Sequence, residues 1–295
     1  MSHLLAAARG TFASLALVAN VLLVFTLMIP VALVKLLLPF APVRRVADRW
    51  LNNLATGWIA ANNLWLNSVN RVRWEVAPLP PLDPRGWYLV LSNHQSWADI
   101  LVLQRVFTRR IPLLKFFLKR ELLYVPVIGL AWWALDFPFM HRKGGAAGRD
   151  DLERTRRACE KFRRVPTSVI NFLEGTRFTR DKHDAQRAPY RHLLKPKVGG
   201  VAIALATLGD RFDAVLDVTL VYPDGAPTFW QVLSGGLTHV VVHVEKLAVP
   251  GELAGGDYGR DPALRGQMQQ WIGERWEAKD RLIAETLTAR AGVGT

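Results

Sequence analysis

Not one residue from Thr11 to Val34 is charged, and the run is rich in Leu, Val, Ala and Phe. An α-helix satisfies its own backbone hydrogen bonds, so a run of this length can enter or cross ~30 Å of hydrocarbon. A core helix of a soluble domain is the competing reading. A signal peptide has a shorter apolar core with a small-residue cleavage site behind it. Here the apolar character continues through Pro30 to Lys35 and Phe40, so cleavage is not expected. Pro30 is expected to kink the helix or end it, and the segment either spans or lies along one leaflet. Arg9 precedes the run, and Lys35, Arg44, Arg45 and Arg49 follow it. That positive excess assigns the remainder of the chain to the cytoplasmic side.

Val43 to Asn70 reads as a second helix. Trp50, Leu54, Trp58, Ala61 and Trp65 recur at spacings of three or four and so share one face. Asn52, Asn53, Asn62, Asn63 and Asn67 interrupt the apolar character. Tryptophan beside asparagine suits the headgroup layer, and it suits a helix docked on the next domain equally well. The chain carries 38 Lys+Arg against 25 Asp+Glu, a formal net charge of +13. Such a balance favours polyanions, either nucleic acid or anionic lipid. The basic residues are scattered among apolar ones, and the apolar N-terminus argues for lipid and against nucleic acid. With one cysteine, Cys159, no disulfide framework or Cys-based metal site forms within one chain.

From Arg71 onward the pattern alternates. Strands are expected at Arg71–Val76, Trp87–Leu91, Ser168–Leu173, Val215–Tyr222 and His239–Leu247. Helices are expected at Ser96–Phe107, Asp150–Phe162, Val198–Leu208 and Pro262–Thr288. Strands separated by helices argue for an α/β layered domain. Pro78-Leu79-Pro80-Pro81 reads as a rigid connector, Gly144–Gly148 as a turn and Asp181–Pro189 as a polar loop. The domain division expected is 1–70 for the helix pair and 71–295 for the α/β domain. There is no Gly-x-Ser-x-Gly elbow, no Walker loop and no dinucleotide-binding glycine fingerprint. His239 and His243 lie on a strand, about 13 Å apart at that spacing, too far to share one ion. No metal is expected.

Chemistry concentrates at four short segments. Asn93-His94-Gln95-Ser96-Trp97-Ala98-Asp99 joins a strand to a helix. A turn there can fold His94 back onto the first helical turn carrying Asp99. One ring nitrogen then donates to the carboxylate, and the other is free to take a proton from a substrate hydroxyl. Glu174-Gly175-Thr176-Arg177 leaves a strand and turns at Gly175, at the strand end where α/β ligands collect. Arg177 offers a planar fork for phosphate; a surface turn with a salt bridge is the alternative. Phe139-Met140-His141-Arg142-Lys143, which taken alone reads as a helix end before it reads as a site, and Lys195-Pro196-Lys197, which taken alone reads first as a solvated turn, add cations. The combination suits an amphiphile with a free hydroxyl and a phosphate.

Read in order, these pieces resemble the glycerophospholipid acyltransferases of the 1-acylglycerol-3-phosphate type. The first family motif stands here as Asn93, His94 and Asp99. The second centres on Phe139 and Arg142, and the third is Glu174, Gly175, Thr176 and Arg177. Lys119-Arg120-Glu121-Leu122 with Pro126 and Gly129 is similar to the family's lysine-to-Pro-x-x-Gly stretch. Val218-Thr219-Leu220-Val221-Tyr222-Pro223 is similar to the fourth motif, with Tyr222 where a small aliphatic residue is more usual. Glu-Gly-Thr-Arg-Phe-Thr followed by Leu193-Leu194-Lys195-Pro196-Lys197 resembles the branch that includes lysocardiolipin-type acyltransferases.

The resemblance implies a mixed sheet flanked by helices, preceded by the membrane-binding helix pair. It implies acyl transfer to a lysophospholipid hydroxyl with His94 as general base, oriented by Asp99, and with Arg177, Arg142 and Lys119 toward the phosphate. It implies acyl-CoA or acyl carrier protein as co-substrate and no bound cofactor. The partners it implies are the lysophospholipid, anionic membrane lipids and acyl carrier protein, with no nucleic acid. The location it implies is a bacterial-type inner membrane with the α/β domain facing the cytoplasm. A transacylase, or a non-catalytic protein that binds anionic lipid, would use many of the same residues. Oxyanion stabilisation by backbone N–H groups near the first turn is expected.

Overall fold

The computed structural model describes residues 2–38, 40–116, 118–126, 128–137, 139–140, 161–256 and 258–291. Two long helices come first. α1 (Ser2–Leu37) covers the uncharged run, and Pro30 does not end it. α2 (Ala41–Val69) carries proline in its first turn, where a missing N–H breaks no helical bond. The helices lie against each other through side chains spread along both. The Trp58 ring meets Phe25 at 5.5 Å, Trp65 Nε1 donates to the Ala13 carbonyl at 3.0 Å, and Asn20 Nδ2 donates to Asn62 Oδ1 at 2.9 Å. Trp58 and Trp65 of the tryptophan stripe therefore pack on α1, whereas Trp50 is exposed. Asn62 answers the polar residue in the middle of the uncharged run.

A different stripe of α2 (Ala47, Leu51, Ala55, Ile59 and Leu66) is buried. Lys35, expected as a flanking charge, is buried instead. Its ammonium bonds Asp48 Oδ1 at 2.8 Å, Asp136 Oδ2 at 2.7 Å and the Ala134 carbonyl at 2.7 Å. Three donors meeting three acceptors offset the cost of removing that charge from water.

The α/β region continues with β1 (Arg73–Val76), β2 (Tyr88–Ser92), α3 (Ala98–Phe107), β3 (Leu114–Phe116), β4 (Leu118–Lys119), α4 (Ile128–Ala134) and β5 (Phe139–Met140). It goes on through β6 (Ser168–Phe172), α5 (Arg180–Gln186), α6 (Gly199–Leu208), β7 (Ala214–Val221), α7 (Phe229–Ser234), β8 (His239–Leu247) and α8 (Pro262–Ala291). Six strands form one sheet in the order β1-β8-β7-β2-β6-β3. All neighbours are parallel except β7 and β8, so the sheet is mixed. β4 and β5 make a separate parallel pair.

Side chains alternate across the pleat, and helices cover both faces. Tyr88 and Val90 of β2, with Leu216, Val218 and Leu220 of β7, pack on one side with Ala98, Val102 and Leu103 of α3. Leu89, Leu91, Val215 and Val221 point the other way, to Val201 and Leu205 of α6 and to Ile272 and Trp276 of α8. β7 also sends Asp217 and Thr219 to that second side. There Lys279 of α8 pairs with Asp217 Oδ1 at 2.5 Å and donates to the Val218 carbonyl and Thr219 Oγ1.

The five expected strands form within two residues of their expected bounds. The short strands β3, β4 and β5 hold too few residues to display alternation. Asp181–Pro189, expected as a loop, begins with α5. Thr179 supplies the N-cap, accepting from Lys182 N, and Arg187 closes the helix at a φ of 46°. In the apolar stretch Leu122–Phe139, Ala131, Ala134 and Leu135 are buried with Phe25, Met28 and Ala32 of α1, whereas Tyr124 and Val125 are exposed. The helix expected at Asp150–Phe162 lies outside the described residues except for its last two, which belong to a 3-10 turn, Lys161–Arg164. Gly144–Gly148 and Cys159 also lie outside them.

Removing one partner of the buried Lys279–Asp217 pair should cost about 3–5 kcal/mol, because a lone charge is left inside. Chemical denaturation in detergent should show Lys279→Met strongly destabilised. The double variant Lys279→Met/Asp217→Val should recover most of that loss. A double variant no better than the single one would contradict the pairing.

Candidate active site

Register alone brings the first and third turns together. Ser92 at the end of β2 pairs with Phe172 at the end of β6. Two residues further along each chain stand His94 and Glu174. Glu174 is fully buried, and its Oε1 accepts from the His94 N–H at 2.7 Å while Oε2 accepts from the Leu194 N–H at 3.0 Å. Burial pushes the Glu174 carboxyl up to about 7, against the lowering effect of those two backbone donors. The His94 carbonyl in turn accepts from the Phe178 N–H at 2.8 Å.

Asn93 acts across the other neighbour. Its amide exchanges two hydrogen bonds with the Leu220 backbone of β7, at 2.8 and 2.9 Å. A side chain thus continues the β2–β7 pairing past the end of β2 and fixes where the next residue starts.

The expected His94–Asp99 pair forms. His94 Nδ1 lies 2.7 Å from Asp99 Oδ2. A carboxylate there selects the tautomer with hydrogen on Nδ1, leaving the Nε2 lone pair available. Among the described residues Nε2 takes no hydrogen bond. The imidazole stacks on Phe172, with centroids 4.1 Å apart and planes 16° apart, and keeps 16% of its side-chain surface exposed.

Asp99 is fully buried. Its Oδ2 also accepts from the Gln95 N–H at 2.7 Å and the Ser96 N–H at 3.0 Å, and its Oδ1 accepts from the Tyr222 hydroxyl at 2.6 Å. This corrects one expectation. The amides of residues 94, 95 and 96 are bonded to carboxylates, so they are not the free oxyanion donors anticipated near this turn. A buried carboxylate needs donors, and the nearest amides meet that need first.

Gly175 sits at a φ of 65°, which favours glycine, and an added Cβ would stand 3.0 Å from Lys197 Cδ. Lys197, on the basic turn before α6, therefore lies against the third motif, and its N–H donates to the Leu173 carbonyl. Thr176 Oγ1 and the Arg177 carbonyl both accept from Lys182 Nζ, at 2.9 and 3.0 Å. Arg177 is exposed, with its guanidinium carbon 4.8 Å from the centroid of the Trp97 ring.

Lys119 belongs to β4, where it pairs with Met140 of β5. Its side chain, and Arg142 entirely, lie outside the described residues. Sequence reasoning missed Tyr222, Lys182 and the structural work of Asn93. The signal for Tyr222 was present: it shares β7's parity with Val218 and Leu220, and so faces α3.

A six-stranded mixed sheet with a His–Asp pair and a Glu-Gly-Thr-Arg turn at adjacent strand ends defines the class. The acyltransferase family model matches residues 74–223, from β1 to the proline after β7. The chain belongs to the acyltransferase family. It is 25% identical over 219 residues to the mouse 1-acyl-sn-glycerol-3-phosphate acyltransferase epsilon, covering 67% of this chain and 57% of that protein. It is 30% identical over 186 residues to the human delta form, covering 56% and 48%. It is 28% identical over 213 residues to the zebrafish lysocardiolipin acyltransferase 1, covering 66% and 51%. The aligned part thus spans about half the length of these relatives. In fold, the crystal structure of the 1-acyl-sn-glycerophosphate acyltransferase PlsC from Thermotoga maritima matches with a TM-score of 0.51 at 15% identity, over 93% of this chain and 97% of that one.

The raised Glu174 carboxyl makes a pH prediction. Its value in the fold exceeds its ordinary 4.5, so between about 4.5 and about 7 the folded state holds a proton that the unfolded state has lost. Stability from this group must therefore fall as pH rises through that window and be flat above it, by about 3 kcal/mol in all. Unfolding titrations of wild type and Glu174→Gln should differ by an amount that changes over that window. A pH-independent difference would contradict the assignment.

Proposed function

We propose that the chain transfers a fatty acyl group from a thioester donor to the free hydroxyl of a lysophospholipid, with 1-acylglycerol-3-phosphate as acceptor and phosphatidic acid as product. The observation that carries this reading is the His94–Asp99 pair, with Nε2 unengaged, beside the Glu174–Arg177 turn. Nε2 takes the proton of the acceptor hydroxyl as its oxygen attacks the thioester carbonyl carbon. The C–S bond then breaks, and the imidazolium returns the proton to the departing thiolate. Asp99 holds the tautomer and stabilises the imidazolium meanwhile. No protein nucleophile is needed, so transfer is direct.

Arg177, exposed beside the pair, is suited to the acceptor phosphate; Arg142 and Lys119 are further cations proposed for the same group. The donor is acyl-CoA or acyl carrier protein. The names of the epsilon and delta relatives favour lysophosphatidic acid. Similarity of comparable degree to a lysocardiolipin acyltransferase makes the headgroup the point to test.

The helix pair supports delivery from the leaflet. α1 is packed on the rest of the molecule at both ends: the Trp230 ring of α7 lies where a Cβ on Gly10 would go, and Lys35 bonds Asp136 beyond α4. Those ends are about 37 Å apart along the helix at 1.5 Å per residue. A helix held at both ends by one domain is better suited to lying in one leaflet than to crossing the bilayer. Its outer face exposes Leu4, Phe12, Leu15, Val18, Leu23 and Leu27. Phe229 and Trp230 are exposed alongside, and Trp97 beside Arg177. The acceptor would reach His94 from that side, with the α/β domain on the cytoplasmic face.

Transfer of label from acyl-CoA to a panel of lysolipids, read by mass spectrometry, tests the reading. Lysophosphatidic acid should be the preferred acceptor. His94→Ala should fold and bind vesicles but lose about 10²–10⁴ in turnover; near-normal turnover would sink the base assignment. Arg177→Ala should raise KM for the acceptor about tenfold or more and leave that for the donor nearly unchanged, since charge-assisted bonds to phosphate are the stronger class. Equal effects on both substrates would count against a phosphate role.

A further inference from the structure

Tyr222 closes β7 at the point where the family resemblance leads one to expect a small aliphatic side chain. β7's alternation turns it toward α3, and its hydroxyl meets Asp99 Oδ1 at 2.6 Å in a fully enclosed position. We propose that Tyr222 is a positioning residue of the reaction: by donating to Asp99 Oδ1 it sets both the orientation of that carboxylate and how strongly it holds the His94 proton. The inference rests on His94 acting as the base.

The carboxylate has two oxygens with separate tasks. Oδ2 faces His94 Nδ1 and two backbone amides; Oδ1 has the Tyr222 hydroxyl. Without that donor, Oδ1 would face packed side chains, where an unsatisfied charged oxygen is costly. The bond also draws charge from the carboxylate. A less basic carboxylate pulls less on the imidazole proton. Burial, and then the neighbouring Asp99 charge, push the Tyr222 phenol well above its ordinary range, so it remains a donor throughout.

Other charges near the pair come from several elements. Glu174, after β6, bonds the His94 N–H, and Lys279 of α8 lies within electrostatic reach of Glu174 while paired with Asp217 of β7. Arg177, Lys182 and Lys197 gather at the Glu174–Arg177 turn. On α3 the other charge is Arg105, which turns away to Asn67 and Trp74. Asp224, just after Tyr222, bonds Thr238. The bond printed for the Tyr222 hydroxyl goes to Asp99 and to none of these, so Tyr222→Phe acts on them only through that carboxylate.

The test is the pH profile of kcat for acyl transfer in lipid vesicles, for wild type, Tyr222→Phe and His94→Ala. Phenylalanine fills nearly the same space, and thermal unfolding checks that the fold is kept. Tyr222→Phe should lower kcat about tenfold, keep both KM values within about twofold, and move the acidic limb up by about half a unit or more, because the freed carboxylate holds the His94 proton more tightly. A ring-fluorinated tyrosine introduced at position 222 donates more strongly and should move the limb down. A limb that stays in place in both variants would overturn the proposal, even if kcat falls, because packing alone would then account for Tyr222. If His94→Ala retains turnover, the base reading fails and this inference fails with it. If His94→Ala is inactive while the limb does not move, this inference alone fails.

Discussion

A single buried carboxylate organises the functional end of this molecule. Asp99 is removed from water, and four donors converge on it: an imidazole, two backbone amides and a phenol. An ionised carboxylate in that position is tolerable only with such a set of partners. Satisfying it folds the β2–α3 turn back on itself, orients His94 and draws in the end of β7. The Gln95 and Ser96 amides are consumed by the same requirement, and the His94 amide by Glu174.

Around this centre the sheet does the positioning. Parallel pairing of β2 with β6 and β7 sets their carboxyl ends side by side, so residues far apart in sequence meet at predictable offsets. Glu174 and Asn93 extend that pairing by side chains, one to the His94 amide and one to Leu220. Both are polar groups in an enclosed place, and both use up their bonding capacity on backbone. The loop carrying His94 is thereby held from two flanking strands.

The helix pair solves a solvation problem. α1 is too apolar for water along one face, yet it is not a detached anchor. Trp58, Trp65 and Asn62 of α2 lie along it, and the buried Lys35 ties its end to Asp48 and Asp136. The face left uncovered exposes Leu4, Phe12, Leu15, Val18, Leu23 and Leu27.

Much of this was legible in the chain by itself. The period-2 strands and the period-3.6 helices are direct consequences of burial, and they yielded the α/β architecture. His94 and Asp99 were legible because a turn between strand and helix brings neighbours five residues apart into reach. Glu174 and Arg177 were legible as a strand-end turn, though their distance from His94 was not. Sequence could not supply contacts that depend on which strands are neighbours: Asn93 to Leu220, Glu174 to the His94 amide, Tyr222 to Asp99. Nor could it say whether the amides near His94 were free, whether Lys35 faced water or a buried pair, or whether α1 met the domain at one end or both. Local pattern follows from the solvation of single side chains, which each residue carries with it. Partnership follows from register and packing, which exist only once the sheet has ordered its strands.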